Sequence, residues 1–227
     1  MMEPTPARFR ALARSSPWRW NTVTFDWHDP HVTDPSRAWI RRPAALRVER
    51  PLGRCITTST VDRPFDGMMR AKPGGPLLPV EGVWPTDARP PFDADGFVAS
   101  RPDSFDVDYD QPFHQNYHWV AMLDPVEFAD DGVDLSDVRP VSHHGRAAWE
   151  ARVTPNGSYD PRCPCCSLLP GDDSSTQFAP AVIRLDVTTG ICVHIERIQP
   201  ERAVNLDVHI ISVDTPLSDT LFGTHWS

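Results

Sequence analysis

Cys163-Pro164-Cys165-Cys166 and the pair His143-His144 are the residues whose types and spacing best suit chemistry in this chain. Thiolates and imidazoles select soft and borderline divalent metals. A set of Cys163, Cys165, Cys166 and His143, with His144 or Cys192 as other choices for the fourth ligand, would suit zinc. Structural zinc sites use two separated ligand pairs, however, and no second cysteine pair accompanies this cluster. Adjacent Cys165 and Cys166 also diverge on an extended backbone. A redox role needs a lowered thiol pKa, for which Arg162 is the only neighbouring cation. An inert, packed cluster is the plain alternative, and beyond zinc no cofactor is indicated. The His143-His144 pair could supply a base or a ligand, although two histidines at a strand end are ordinarily one exposed and one half-buried.

Other candidates are weaker. His194 and His209 lie opposite the apolar rows of their strands, as on a solvated sheet face. If those strands pair, both histidines cluster with Asp207 and Glu196, in a register the sequence leaves open. Asp103, Asp106, Asp108 and Asp110 begin like a calcium loop, but Gln111 stands where Gly is required, Pro112 follows and Tyr117 replaces the bidentate Glu. There is no G-x-S-x-G, Walker or G-x-G-x-x-G motif. No catalytic residue is assigned, and the chain leans away from an enzyme. Trp20, Trp27, Trp39, Trp119 and Trp149 lie in or near strand-like runs and could line a concave apolar cavity, or simply fill the core.

The elements that must position these residues are mostly strands. Ile183, Leu185 and Val187 share one face, as do Ile191, Val193 and Ile195 after a Thr188-Thr189-Gly190 turn. Val204, Leu206, Val208 and Ile210 continue the alternation, and Ile210-Ile211 breaks its phase, which predicts a bulge. Upstream, Thr5-Pro6 opens a short amphipathic helix that Pro17 ends. The run 18–27 alternates, RAWIRR and ALRVER read as short strands, and 53–61 as a further one. Tyr117–Leu123 fits helix or buried strand equally, Asp124-Pro125 opens a short helix, and 138–154 reads as a hairpin. Pro216–Phe222 predicts one helical turn on the sheet end.

Length and composition set the bounds. The 227 residues, 40% apolar and 23% charged, predict a single domain with a core at 6–61 and 115–222. An irregular Pro-rich insertion at 62–114 and a Cys-containing insertion at 155–180 interrupt it. A net charge of −9, with arginines scattered and Lys72 the only lysine, excludes nucleic acid and anionic membrane as partners. No run approaches a transmembrane segment or a signal h-region, so the expected localisation is cytoplasmic, with reduced cysteines.

The order of a helix, strands broken at WIRRP, a Leu-Asp-Pro helix, a Gly-Arg-Ala hairpin, the turn Asp186-Val187-Thr188-Thr189-Gly190 and a closing VDTPLSDTLF resembles one known family. It is the half-open β-barrel family of lipoprotein carriers and sigma-factor regulatory sensor domains (LolA/RseB-like), in an actinobacterial-type variant. The resemblance implies a mainly β (α+β) fold, a strongly curved antiparallel sheet forming a half-open barrel with a few short helices. It also implies that the concave face holds lipid or acyl chains. The expected function is therefore a non-enzymatic binding protein for an apolar small molecule or lipid. The alternatives are a metal-binding or redox protein built on the cysteine cluster, and a protein-interaction or regulatory module with a protein partner.

Overall fold

The computed structural model describes residues 2–28, 34–50, 54–60, 63–64, 68–71, 77–101, 105–107, 117–161, 167–171, 178–198 and 201–223. Cys163, Cys165, Cys166 and most of the acidic run at 103–110 lie outside them. Nine strands form one antiparallel sheet in two meanders. The first is β1 (Thr22–His28), β2 (Ser36–Arg41), β3 (Ala45–Arg50) and β4 (Arg54–Thr60). Three further strands, β5 (Met68–Ala71), β6 (Leu77–Val83) and β7 (Phe105–Val107), make a separate small sheet. They fall in the span that the sequence suggested was irregular. The second meander is β8 (Val133–His143), β9 (Arg146–Pro155), β10 (Ala181–Asp186), β11 (Cys192–Arg197) and β12 (Ala203–Val213). The order β4-β3-β2-β1-β12-β11-β10-β9-β8 leaves β4 and β8 as edges, so the sheet does not close. It is the half-open barrel expected, mainly β with short helices.

Register shifts bend the sheet at five of its pairings, including one between Thr24 and Phe25 against β12. There Thr24 opposes Ser212 and Phe25 opposes Ile210, leaving Ile211 as the extra residue at the phase break visible in the sequence. One face carries the core. Val23, Phe25, Ala38, Ile40, Leu46, Val48, Ala151, Ile183, Ile195, Leu206 and Val208 are all buried there. Period-two alternation sends their neighbours to the other face.

Helices cover the apolar face. α1 (Pro6–Ser15) is capped by Thr5, whose Oγ1 accepts from the Arg8 amide at 3.2 Å. Pro17 does not stop the chain abruptly, because it sits within a 3-10 turn, Ser16–Trp18, where its missing N–H costs nothing. Tyr117–Leu123 is helical, α2, and a 3-10 turn Val126–Phe128 follows. The segment 84–101 is tied to α1. Ser15 Oγ accepts from the Val98 amide at 2.8 Å, Arg14 Nε donates to the Val98 carbonyl at 2.8 Å, and Arg101 pairs with the buried carboxylate of Asp124. The terminal turn α3 (Asp219–Phe222) crosses to the polar side, where Arg41 and Arg47 donate to the carbonyls of Leu217 and Leu221 at 2.8 and 3.0 Å.

Candidate functional site: a histidine cluster around Asp207

The polar face is a ladder of ionic side chains set by register. Asp26 on β1 lies opposite Arg37 on β2, which donates to it at 2.8 and 2.9 Å. Glu150 on β9 lies between Arg139 on β8 and Arg184 on β10, accepting at 2.9 and 2.8 Å. Burial alone would raise the Glu150 carboxyl pKa, but hydrogen bonds and charge from the two arginines outweigh it and hold the pKa below its ordinary value. Arginine suits such ladders because its planar fork can hold two oxygens at once.

At the middle of this face the register places Asp207 directly opposite His194 on β11 and His28 on β1. His209 stands two residues further along β12, opposite Asp26. The β8–β9 hairpin adds two more histidines from its tip. His144 and Gly145 both have positive φ, 46° and 79°, as a two-residue turn with the right twist requires. That turn brings His143 and His144 against β12.

Four imidazoles surround one carboxylate as a result, and a fifth, His209, stacks beside them. His143 Nε2 is 3.1 Å from the Val208 carbonyl and 3.3 Å from Asp207 Oδ1. His144 Nε2 is 3.1 and 3.2 Å from the two Asp207 oxygens. His28 Nδ1 is 3.7 Å from Oδ2, and His194 Nδ1 is 3.9 Å from Oδ1. His209 stacks on His144 with ring centroids 4.8 Å apart. The surrounding histidines drive the Asp207 pKa far below the carboxylate range, although burial by itself raises it.

The sequence-predicted residues are distributed unevenly. Of the proposed zinc set, His143 is buried in this cluster, His144 beside it is exposed, and Cys192 sits in the core with its Sγ 3.8 Å from the His194 carbonyl. Burial pushes the Cys192 thiol pKa up, which removes it as a nucleophile. The five tryptophans do not share one surface. Trp119 on α2 packs on Trp27 at 5.2 Å and on Phe25 at 5.3 Å between ring centroids. Trp149 lies 6.1 Å from Phe97, and both it and Trp119 are 1% exposed. Trp20 is packed beneath the Arg42 guanidinium, 3.4 Å from its ring centroid. Trp39 alternates with Ala38 and Ile40, which face the core, and so stands half-buried on the polar side. His28 was not singled out by sequence. Its only signal is a position in phase with Asp26, opposite the core residues Phe25 and Trp27.

No protein-family model matches the chain, and no curated protein matches it. Among solved structures it is similar in fold to MucB, with a TM-score of 0.50 at 15% identity over 97% of this chain and 63% of that one. A Pseudomonas aeruginosa MucA/MucB complex is also similar, with a TM-score of 0.45 at 15% identity over 96% and 61%. The chain spans less than two thirds of the MucB chain it matches. At that identity the likeness establishes the half-open barrel fold.

Proposed function

We propose that this chain is a non-enzymatic binding module whose inner, apolar sheet face takes an elongated apolar or lipid-like ligand. The observation that carries the reading is the aromatic set under α2, where Trp119 rests on Phe25 and Trp27. At that point a seven-residue helix covers the sheet. The nine-stranded sheet does not close on itself, and short helices cover its apolar face; in this reading the cover lifts to admit the ligand. In this closed state the aromatic rings contact one another; a ligand enters by displacing α2 and takes the place of the Trp119 ring. The half-open sheet on which the reading rests is the fold shared with MucB.

Native mass spectrometry and solvent extraction of gently purified full chain provide the test. A bound apolar species, together with a shift in tryptophan emission when a long-chain fatty acid is added to stripped protein, is the expected outcome. Ligand-free protein whose emission ignores the fatty acid defeats the proposal.

A further inference from the structure

We propose that His143, His194 and Asp207 form a site for a borderline divalent metal ion, zinc being the type case, on the polar face of the sheet. One potential ligand atom from each residue lies within 4.8 Å of the others. The two distances to Asp207 Oδ1 are 3.3 Å from His143 Nε2 and 3.9 Å from His194 Nδ1. Ligand atoms around a tetrahedral zinc with bonds of about 2.0–2.1 Å stand roughly 3.3 Å apart. Small side-chain rotations therefore close the set around an ion.

His194 already presents a buried ring nitrogen to the site. Its side chain is 10% exposed, and Nδ1 is buried without a hydrogen-bond partner. Its Nε2 faces Glu196 Oε2 at 3.9 Å, the direction in which a carboxylate orients a metal-binding imidazole. Glu196 is held in turn by Arg202 at 2.6 and 3.1 Å. Nδ1 itself faces Asp207 Oδ1 at 3.9 Å, and a metal binds there with the ring proton on Nε2. His144 Nε2, 3.1 Å from Asp207, supplies a fourth donor at the more exposed side. With a carboxylate at its centre, the cluster rejects an anion; four imidazoles around that carboxylate favour a cation that prefers nitrogen.

Binding has a local cost that can be located. Arg184 Nη1 lies 3.4 Å from His143 Nδ1 and donates to it, which leaves the ring proton on Nε2. A metal at Nε2 moves that proton to Nδ1, and Arg184 Nη1 must turn away. Its Nε stays on Glu150 Oε2 at 2.8 Å, so the arginine keeps its anchor. The Val208 carbonyl gives up its contact with His143.

The site is on the opposite face from the aromatic set, and its success or failure is independent of the apolar-ligand proposal. The test is zinc titration of the full chain by calorimetry, with cobalt substitution as a spectroscopic reporter. About one equivalent of zinc should bind. Asp207→Asn and His194→Gln should each weaken binding about tenfold or more, with unchanged far-ultraviolet circular dichroism. The triple variant Cys163→Ser/Cys165→Ser/Cys166→Ser should bind as wild type, and cobalt should give visible d–d bands without sulfur charge-transfer absorption. Zinc binding that is abolished by the cysteine changes and indifferent to Asp207→Asn, or no stoichiometric binding at all, overturns the proposal.

Discussion

Glu150 shows how one side chain can order three strands. It is 5% exposed and accepts from arginines on both neighbouring strands, so its ionised form is held by the fold and not by solvent. Its pKa is lowered in the folded chain. The folded state therefore binds fewer protons than the unfolded chain at acid pH. The stabilisation is full above the ordinary carboxylate pKa of about 4.3 and is lost as pH falls through the folded value. We expect the wild type to lose denaturant stability below that pH more steeply than Glu150→Gln does. Parallel acid limbs for the two proteins would show that Glu150 carries none of the dependence. Asp186 plays a comparable part at the β10–β11 turn. Its Oδ1 accepts from the amides of Thr188 and Thr189 at 3.1 and 2.8 Å, and its Oδ2 takes the Arg146 guanidinium at 2.7 Å.

At the scale of elements, that turn is also where α1 docks. Gly190 has φ of 74°, and a Cβ there would lie 2.8 Å from the Leu12 carbonyl oxygen and 3.0 Å from Ser16 Cα. Both the backbone conformation and the helix contact require its missing side chain. Gly190→Ala should cost more than about 2 kcal/mol, read as a fall in the denaturant midpoint; a change within error would mean that α1 is free to shift. The turn, the alternation around it and the bulge at Ile211 were legible in the sequence because each is encoded within a few neighbouring residues. The histidine cluster was only half legible. His194, Asp207 and His209 were in phase on their strands, but joining His144 to Asp207 spans 63 residues and depends on where a hairpin tip lands. Nothing local specifies that landing. Trp39 followed the same period-two rule as its neighbours, and the rule put it on the face opposite Trp27, Trp119 and Trp149.

For the whole molecule, the two faces of one sheet differ in character. The inner face is apolar and covered by α1 and α2, while the outer face is ionic, with α3 fastened across its β2–β3 end by Arg41 and Arg47. The edge strand β8 carries Pro140, the charged Arg139 and a positive-φ Asp137 at an irregularity, features that discourage another chain from pairing there. Every neighbouring pair in the large sheet is also consecutive in sequence except β1 and β12. Asp214, with φ of 54°, locks that junction by accepting from the Asn21 and Thr22 amides at 2.7 and 3.2 Å, across 192 residues in the second case. Closing so long a loop is entropically expensive, whereas each meander assembles from pairs of consecutive strands, joined by short connections except at β9–β10. The strand order therefore predicts an order of folding, meanders first and junction last. Val23→Ala and Val213→Ala should accelerate unfolding with little change in the refolding rate, and Ile183→Val in the β10–β11 hairpin should slow refolding. Stopped-flow kinetics showing the reverse pattern would place the β1–β12 junction in the folding nucleus.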